Sequence, residues 1–255
     1  RPTGCLDFDR TSRIIRVMSP VVATSRPRAA AGRRTTGRGA YSVDVVLLTV
    51  VDGQLAAALL RAEGRPGERL RERWGLPWEA ATPDEPLAEA AERVARDVMG
   101  AAPQYLEQIG AFGDGRRHPA GSPLSVAFVG LVPAGGVLPG DAGGDFFPVS
   151  DLPALAPRQR AMVDAAVAHV RQRVGQAPVA FRLLPTTFTL SELQELYELL
   201  LDRPLHKASF RRSLQAARIV EPTDEWRSEG RGRPAQLFRY APRRRRNAPR
   251  GVRFE

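Results

Sequence analysis

The sequence predicts two folded parts of different kinds: a mixed α/β domain, then a smaller unit of helix, turn, helix and hairpin. Three observations carry this. Strand-like runs alternate with two helical runs from Tyr41 to about residue 175. A different order fills residues 178–241: an extended piece, two short helices, then two strands. Charge divides the chain at the same places. Residues 1–40 hold 9 Arg and 2 Asp, residues 41–177 hold 13 basic and 17 acidic side chains, and residues 178–255 hold 16 basic and 9 acidic.

A slightly acidic middle between basic ends, in a chain of net charge +10, fits a soluble domain flanked by segments that bind a polyanion. A hydrophobic share of 43% is enough for a core. The single cysteine, Cys5, excludes an internal disulfide and suits a reducing compartment. No apolar run nears the roughly 18–20 residues of a membrane span; "VVLLTVV" is strand-sized. No compact apolar stretch marks a secretory signal at the start, so a cytoplasmic, nucleoid-associated location is expected.

The elements follow in order. Residues 1–40, rich in Arg, Ala, Thr, Ser and Gly, read as a disordered basic tail. "YSVDVVLLTVVDGQLAAALLRA" reads as two strands around a turn at Asp52-Gly53. "GRPGERLRERW" is a charged loop. "EPLAEAAERVARDVM" is a helix with positions 87, 90, 91, 94, 95 and 98 on one apolar stripe and Gly100 as its stop. "YLEQIGAFGDGRRHPAGSPLSVAFVGLVP" gives strand, polar loop, strand. "FFPVSDLP" is a short strand and turn, and "RQRAMVDAAVAHVRQRV" a second helix.

Past a soft boundary at residues 177–178 the chain changes character. "FRLLPTTF" reads as extended. "TLSELQELYELLL" is a helix opened by a capping box, Thr189 with Glu192. "DRPLH" turns, and "KASFRRSLQAARI" is a helix with Phe210, Leu214 and Ala217 on one face. "VEPTDEW" and "PAQLFRY" pair as a hairpin, and residues 242–255 form a basic tail. This is the order of a winged helix-turn-helix.

In such a unit the second helix enters the major groove of DNA. Lys207, Ser209, Arg211, Arg212, Gln215 and Arg218 lie on its solvent side. Arginine grips guanine or phosphate in a bidentate way, and glutamine pairs with adenine. At the hairpin tip, Gly232 and Pro234 keep the backbone thin around Arg231 and Arg233, which suits a narrow minor groove or a pair of phosphates. Near-palindromic double-stranded DNA read by a homodimer is the expected partner.

The segment from Glu79 to Gly100 resembles the Nudix box, which runs Gly, five residues, Glu, seven residues, Arg-Glu-bulky-x-Glu-Glu-x-Gly. Anchored on Gly100, the box puts its first Gly on Glu79, its Glu on Glu85 and its Arg on Arg93. Its later carboxylates fall on Val94, Asp97 and Val98. Three carboxylates there would hold the divalent cations that polarise a pyrophosphate. Two valines cannot ligate a hard cation, so no catalytic or metal-binding residues are expected.

The C-terminal half, through "FRLLP", "FTLSELQELYE", "RPLHKASFRRSL" and "GRGRPAQLFRY", looks like the winged helix of the Nudix-related transcriptional regulators, the NrtR family. "FGDGRRHPAGSPLSVAF" resembles that family's loop and strand after the box. The likeness runs from about Tyr41 to Tyr240. It implies an N-terminal Nudix-like α/β/α sandwich with a mixed sheet, a C-terminal winged helix-turn-helix, a dimer, and an ADP-ribose-like effector in a regulator often tied to NAD metabolism. Effector candidates are Trp78, Glu85, Arg93, Arg116, Arg117 and His118. The ligand side departs from the family: His118-Pro119-Ala120 stands where an acidic residue before Pro-Arg is common, and Ala156-Pro157-Arg158 where Phe-Asp-His is common. The lone His118, in a polar loop, reads first as solvated. Trp78, like Trp74, suits packing as well as stacking on a base.

The expected function is a sequence-specific DNA-binding regulator, of the repressor type, with a catalytically inactive Nudix-like domain that binds a small effector or only dimerises. No resident cofactor is expected. The alternative is a metal-dependent nucleotide-diphosphate hydrolase with unusual ligands around Glu85, Glu89 and Asp97.

Overall fold

The computed structural model describes residues 41–62, 73–82, 84–138, 143–175, 178–228 and 234–241. The expected N- and C-terminal tails and most of the charged loop before Trp74 lie outside them.

Strands β1 (Tyr41–Val51) and β2 (Gln54–Arg61) form the hairpin. Asp52 at φ 48° and Gly53 at φ 72° are both left-handed, the backbone shape that suits the twist of a two-residue hairpin turn. The two strands pair only from Leu48 to Val51 on β1. Beyond that they part, and one short segment fills the gap. Its β3 (Trp74–Gly75) adds to β2 at Leu60 and Arg61; its β4 (Trp78–Ala80) adds to β1 at Ser42–Asp44.

On its other side β1 runs parallel to β6 (Leu124–Leu131), from Tyr41 to Leu48. Antiparallel β5 (Tyr105–Phe112) follows β6, and β7 (Gly144–Pro148) pairs with β2. The sheet is therefore mixed.

A strand buried on both faces needs an unbroken apolar run, which "VVLLTVV" supplies. Val43, Val45 and Leu47 pack with Ala90, Ala91, Val94, Ala95 and Val98 of α1 (Leu87–Met99). Val46 and Leu48 face the other way, into a core shared with Met162, Val163, Ala166 and Val170 of α2 (Pro157–Val174). Gly100 closes α1 at φ 71°, its N–H donating to Arg96 O at 2.8 Å. Pro157 opens α2, where its missing N–H costs nothing.

The smaller unit has β8 (Thr187–Phe188), α3 (Leu190–Leu201), α4 (Lys207–Ala217), β9 (Val220–Arg227) and β10 (Ala235–Tyr240), with sheet order β8-β10-β9. The α/β sandwich and the winged helix are both present. One expectation is corrected. "FRLLPTTF" is not extended throughout: Val179–Arg182 is a 3-10 turn and only Thr187–Phe188 pairs as strand. The turn drops Phe181, Leu183 and Leu184 into the core, which a straight strand would not do.

That core is continuous. Leu184, Phe188, Leu193, Tyr197, Phe210 and Leu214 belong to the same apolar cluster as Val46 and Met162. Phe181 stacks on Tyr240 with ring centroids 4.5 Å apart, tying the start of the winged helix to its end.

The capping box at the start of α3 is complete. Glu192 N donates to Thr189 Oγ1 at 3.1 Å and Thr189 N donates to Glu192 Oε2 at 2.6 Å. Thr189→Ala removes one acceptor from a helix end and should cost about 1 kcal/mol. Urea denaturation of the full chain measures it; an unchanged midpoint would show that the cap is dispensable.

Candidate nucleic-acid interface and ligand face

Helix α4 is held by two side chains. Phe210 and Leu214 are 1% and 2% exposed, and Phe210 meets Tyr197 of α3 edge-on at 5.8 Å. The helix-turn-helix angle is fixed by Glu198 and Gln194. Leu205 N donates to Glu198 Oε1 at 2.8 Å, and Gln194 Nε2 donates to Leu205 O at 2.9 Å. With one face pinned, the period of the helix exposes Lys207, Ser209, Arg211, Arg212 and Gln215 together. No acidic residue interrupts "KASFRRSLQAA".

Arg218 differs from its expected setting. It is exposed, but it is the left-handed cap of α4 at φ 51° rather than a helical residue, so its side chain leaves from the helix end. Arg231, Gly232 and Arg233 lie outside the described residues. The strands that carry them are described: Arg227 opposes Ala235, and Arg227 Nη1 donates to Glu192 Oε1 at 2.6 Å, anchoring the hairpin base to α3. Trp226, 58% exposed beside Arg227, was not singled out from the sequence. An aromatic in a strand otherwise made of Val, Glu, Pro, Thr, Asp and Arg was the available signal.

The box residues do something other than hold cations. Val94 and Val98 are 3% and 4% exposed, sunk into the core against β1, while Asp97 is exposed. The residues present do not fit a divalent metal. Glu79 sits on β4 opposite Val43. Arg93 hydrogen-bonds Glu79, and it grips Glu85 twice, Nε to Oε1 at 3.0 Å and Nη2 to Oε2 at 2.8 Å. The Arg93 hydrogen bond holds the Glu85 carboxyl below its ordinary value, and the same bond raises Arg93. The Glu85 and Arg93 named for an effector are thus engaged with each other.

The remaining effector candidates fall elsewhere. Strand β4 alternates faces, so Trp78 and Glu79 leave on opposite sides of the sheet. Trp78 meets the His118 ring edge-on at 5.3 Å. Arg116 is exposed and paired with Asp114 at 3.0 Å; Arg117 is exposed in the same loop. The six therefore form no single cluster.

His118 is corrected most. It is not solvated: it is 4% exposed, with Nε2 2.7 Å from Asp44 Oδ1. Ala120 N donates to its Nδ1 at 3.0 Å, which leaves Nε2 as the donor to Asp44. Ser42 Oγ donates to Asp44 Oδ2 at 2.9 Å and lies 2.7 Å from Ser125 Oγ. Arg158 Nη1 donates to Ser122 O at 2.7 Å and Ser125 Oγ at 3.3 Å. Gln159 reaches Asp44 at 3.5 Å and brackets the Leu76 backbone, accepting from its N at 3.3 Å and donating to its O at 3.4 Å.

These six polar side chains are all buried, and together they pin the loop after β5 to the start of α2. Arg158 Nε is buried without a partner among the described residues, but the other polar groups of these six side chains meet one another or nearby backbone, which makes this a structural net. Its signal in the sequence was Asp44, a lone acid inside an apolar strand.

Fold and surface define a class: a Nudix-type sandwich that carries a winged helix with one uninterrupted basic face. Residues 180–240 match the model of the NrtR DNA-binding winged helix domain. The ADPR responsive transcriptional repressor NtrR of Acinetobacter baylyi is 28% identical over 207 residues, covering 78% of this chain and 81% of that protein. The crystal structure of Shewanella oneidensis NrtR complexed with a 27mer DNA superposes with a TM-score of 0.69 at 29% identity, over 80% of this chain and 94% of the other. A MutT/nudix family protein from Enterococcus faecalis, 18% identical with a TM-score of 0.60 over 79% of this chain and 87% of that one, shares the fold. Over most of its length, sandwich and winged helix together, the chain is similar to these NrtR regulators.

Two substitutions test the net and the box. Asp44→Ala leaves His118 Nε2 buried without its acceptor and Ser42 with Ser125 alone, and should cost about 3 kcal/mol. Val94→Glu restores a box carboxylate only by burying it in the core, and should cost about 3 kcal/mol as well. Both are read as a lowered urea midpoint. A Val94→Glu protein of unchanged stability would mean that the helix face can open.

Proposed function

We propose that this protein is a sequence-specific, DNA-binding transcriptional regulator of the repressor type, acting as a homodimer. The observation that carries it is the face of α4: Lys207, Arg211, Arg212 and Gln215 exposed side by side on a helix fixed through Phe210 and Leu214. The match of residues 180–240 to the NrtR winged helix supports it, as do the DNA complex of the Shewanella oneidensis relative and the repressor role of the Acinetobacter baylyi one.

In this reading residues 41–177 form the sensor or dimerisation domain and residues 178–241 the reader. Side chains from α4 enter the major groove; Ser209 and Arg218 add contacts at the helix margin, and Arg231 and Arg233 add wing contacts. A two-fold protein then matches two half-sites of a near-palindrome. Such a protein works in the cytoplasm, at the nucleoid; no helix among the described residues is long and apolar enough to cross a membrane.

The Nudix-like domain is not a hydrolase in this reading. Valines at positions 94 and 98, and the mutual engagement of Glu85 and Arg93, support that. The Acinetobacter baylyi relative is named as ADPR responsive. In this chain, two of the residues that would meet such a nucleotide are committed to each other, and His118 to Asp44.

A mobility-shift titration against the DNA upstream of the protein's own operon tests the reader. Arg211→Ala should weaken specific binding by about 1–3 kcal/mol, and binding should fall steeply with salt. Specific binding that survives Arg211→Ala and Arg212→Ala unchanged would move the reader elsewhere. Incubation with ADP-ribose and Mg²⁺ or Mn²⁺ should release no product.

A further inference from the structure

The two domains do not meet flush. Between the β1–β2 turn and helix α3 lies a cleft of about 430 Å³. That is within the range of small-molecule sites, and the boundary between domains is a common place for one. Its apolar lining includes Val50, Leu183, Leu184, Leu196 and Leu199. Leu183, Leu184 and Leu196 belong to the shared core, so this wall is firm. A backbone bond beside it, Ala134 N to Leu183 O at 2.8 Å, ties the domains together.

The charged lining has one sign. Asp52, Glu192 and Glu195 line the cleft, and no Lys or Arg does, in a chain with 38 of them. Glu192 is engaged by Thr189 and Arg227. Asp52 and Glu195 are exposed and make no ion pair among the described residues. They come from opposite walls, Asp52 from the sandwich and Glu195 from α3. An anion would be repelled here. A purely apolar molecule would leave both carboxylates unused.

The geometry points to an effector site in this cleft for an amphipathic cation: an aromatic or aliphatic body with a primary amine, gripped by Asp52 on one domain and Glu195 on the other. The site is separate from the Nudix box, which lies on the opposite face of the sheet. Because it touches both domains, its occupant favours one setting of α3, and so of α4, over others. That coupling, though not the binding, rests on the DNA-reading role proposed above.

Calorimetry on the full chain with three molecules that share one ring tests the site: tryptamine, tryptophol and indoleacetate. Tryptamine should bind at least about fivefold tighter than tryptophol, the scale of an exposed ion pair, and indoleacetate should not bind. The double variant Asp52→Asn with Glu195→Gln should reduce tryptamine to the affinity of tryptophol. Both positions are exposed, and asparagine accepts the left-handed backbone at position 52, so folding is spared. No heat with tryptamine, equal binding of the amine and the acid, or an unchanged double variant would each overturn the site.

The same ligand is then added to protein bound to its operator. Saturating tryptamine should change the apparent operator Kd of the parent chain and not of the double variant. Binding with no change in Kd would overturn the coupling. Failure to find any operator would sink the DNA reading and leave the calorimetric result standing.

Discussion

Strand β1 is the constraint on which the rest depends. It is buried on both faces, so each face must be supplied with a helix, and the two helices are held apart by one strand's thickness. Odd-numbered residues recruit α1; even-numbered ones recruit α2 and, through it, the winged helix. Burying such a strand is favourable only if its polar atoms are all met. Parallel β6 meets them along one edge, from Tyr41 to Leu48, while β2 and β4 share the other.

The parting of β1 and β2 has a larger effect than its size suggests. It admits the short segment 74–80, and the alternation within β4 then sends Trp78 and Glu79 to opposite sides. Effector candidates on either side of this point are divided by the sheet. Residues that look like one ligand site along the chain become two unrelated clusters: an ion-paired brace at the start of α1, and a buried polar net under α2. Gln159 holds the parting open by pairing its amide with the backbone of Leu76, much as a strand would.

Most of the fold was legible because periodicity reports burial. The stripe at positions 87, 90, 91, 94, 95 and 98, its first residue only partly buried, the Asp52-Gly53 turn and the Thr189–Glu192 cap all rest on contacts within a few residues, and each stands as read. The failures were long-range. His118 read as solvated because nothing near it in sequence discloses Asp44, which is 74 residues away. Strand β4 went unread because a two- or three-residue strand has no period to detect. The bend at Val179–Arg182 was hidden by the β-like look of "FRLLPTTF"; only the core beneath it makes a turn preferable. The solvent face of α4 was legible for the opposite reason: exposed side chains have no partner to conceal.

The apolar cluster that runs from Val46 to Leu214 without a break has a thermodynamic corollary. Reader and sandwich do not hold separate reserves of stability. Loosening at Met162 or Val170 in the sandwich is felt at Tyr197, and from there at Phe210. In the DNA-binding role proposed above, the fraction of molecules able to bind an operator is then tied to the stability of both halves. In a marginally stable protein, a core substitution far from any operator contact can silence the regulator simply by depleting that fraction.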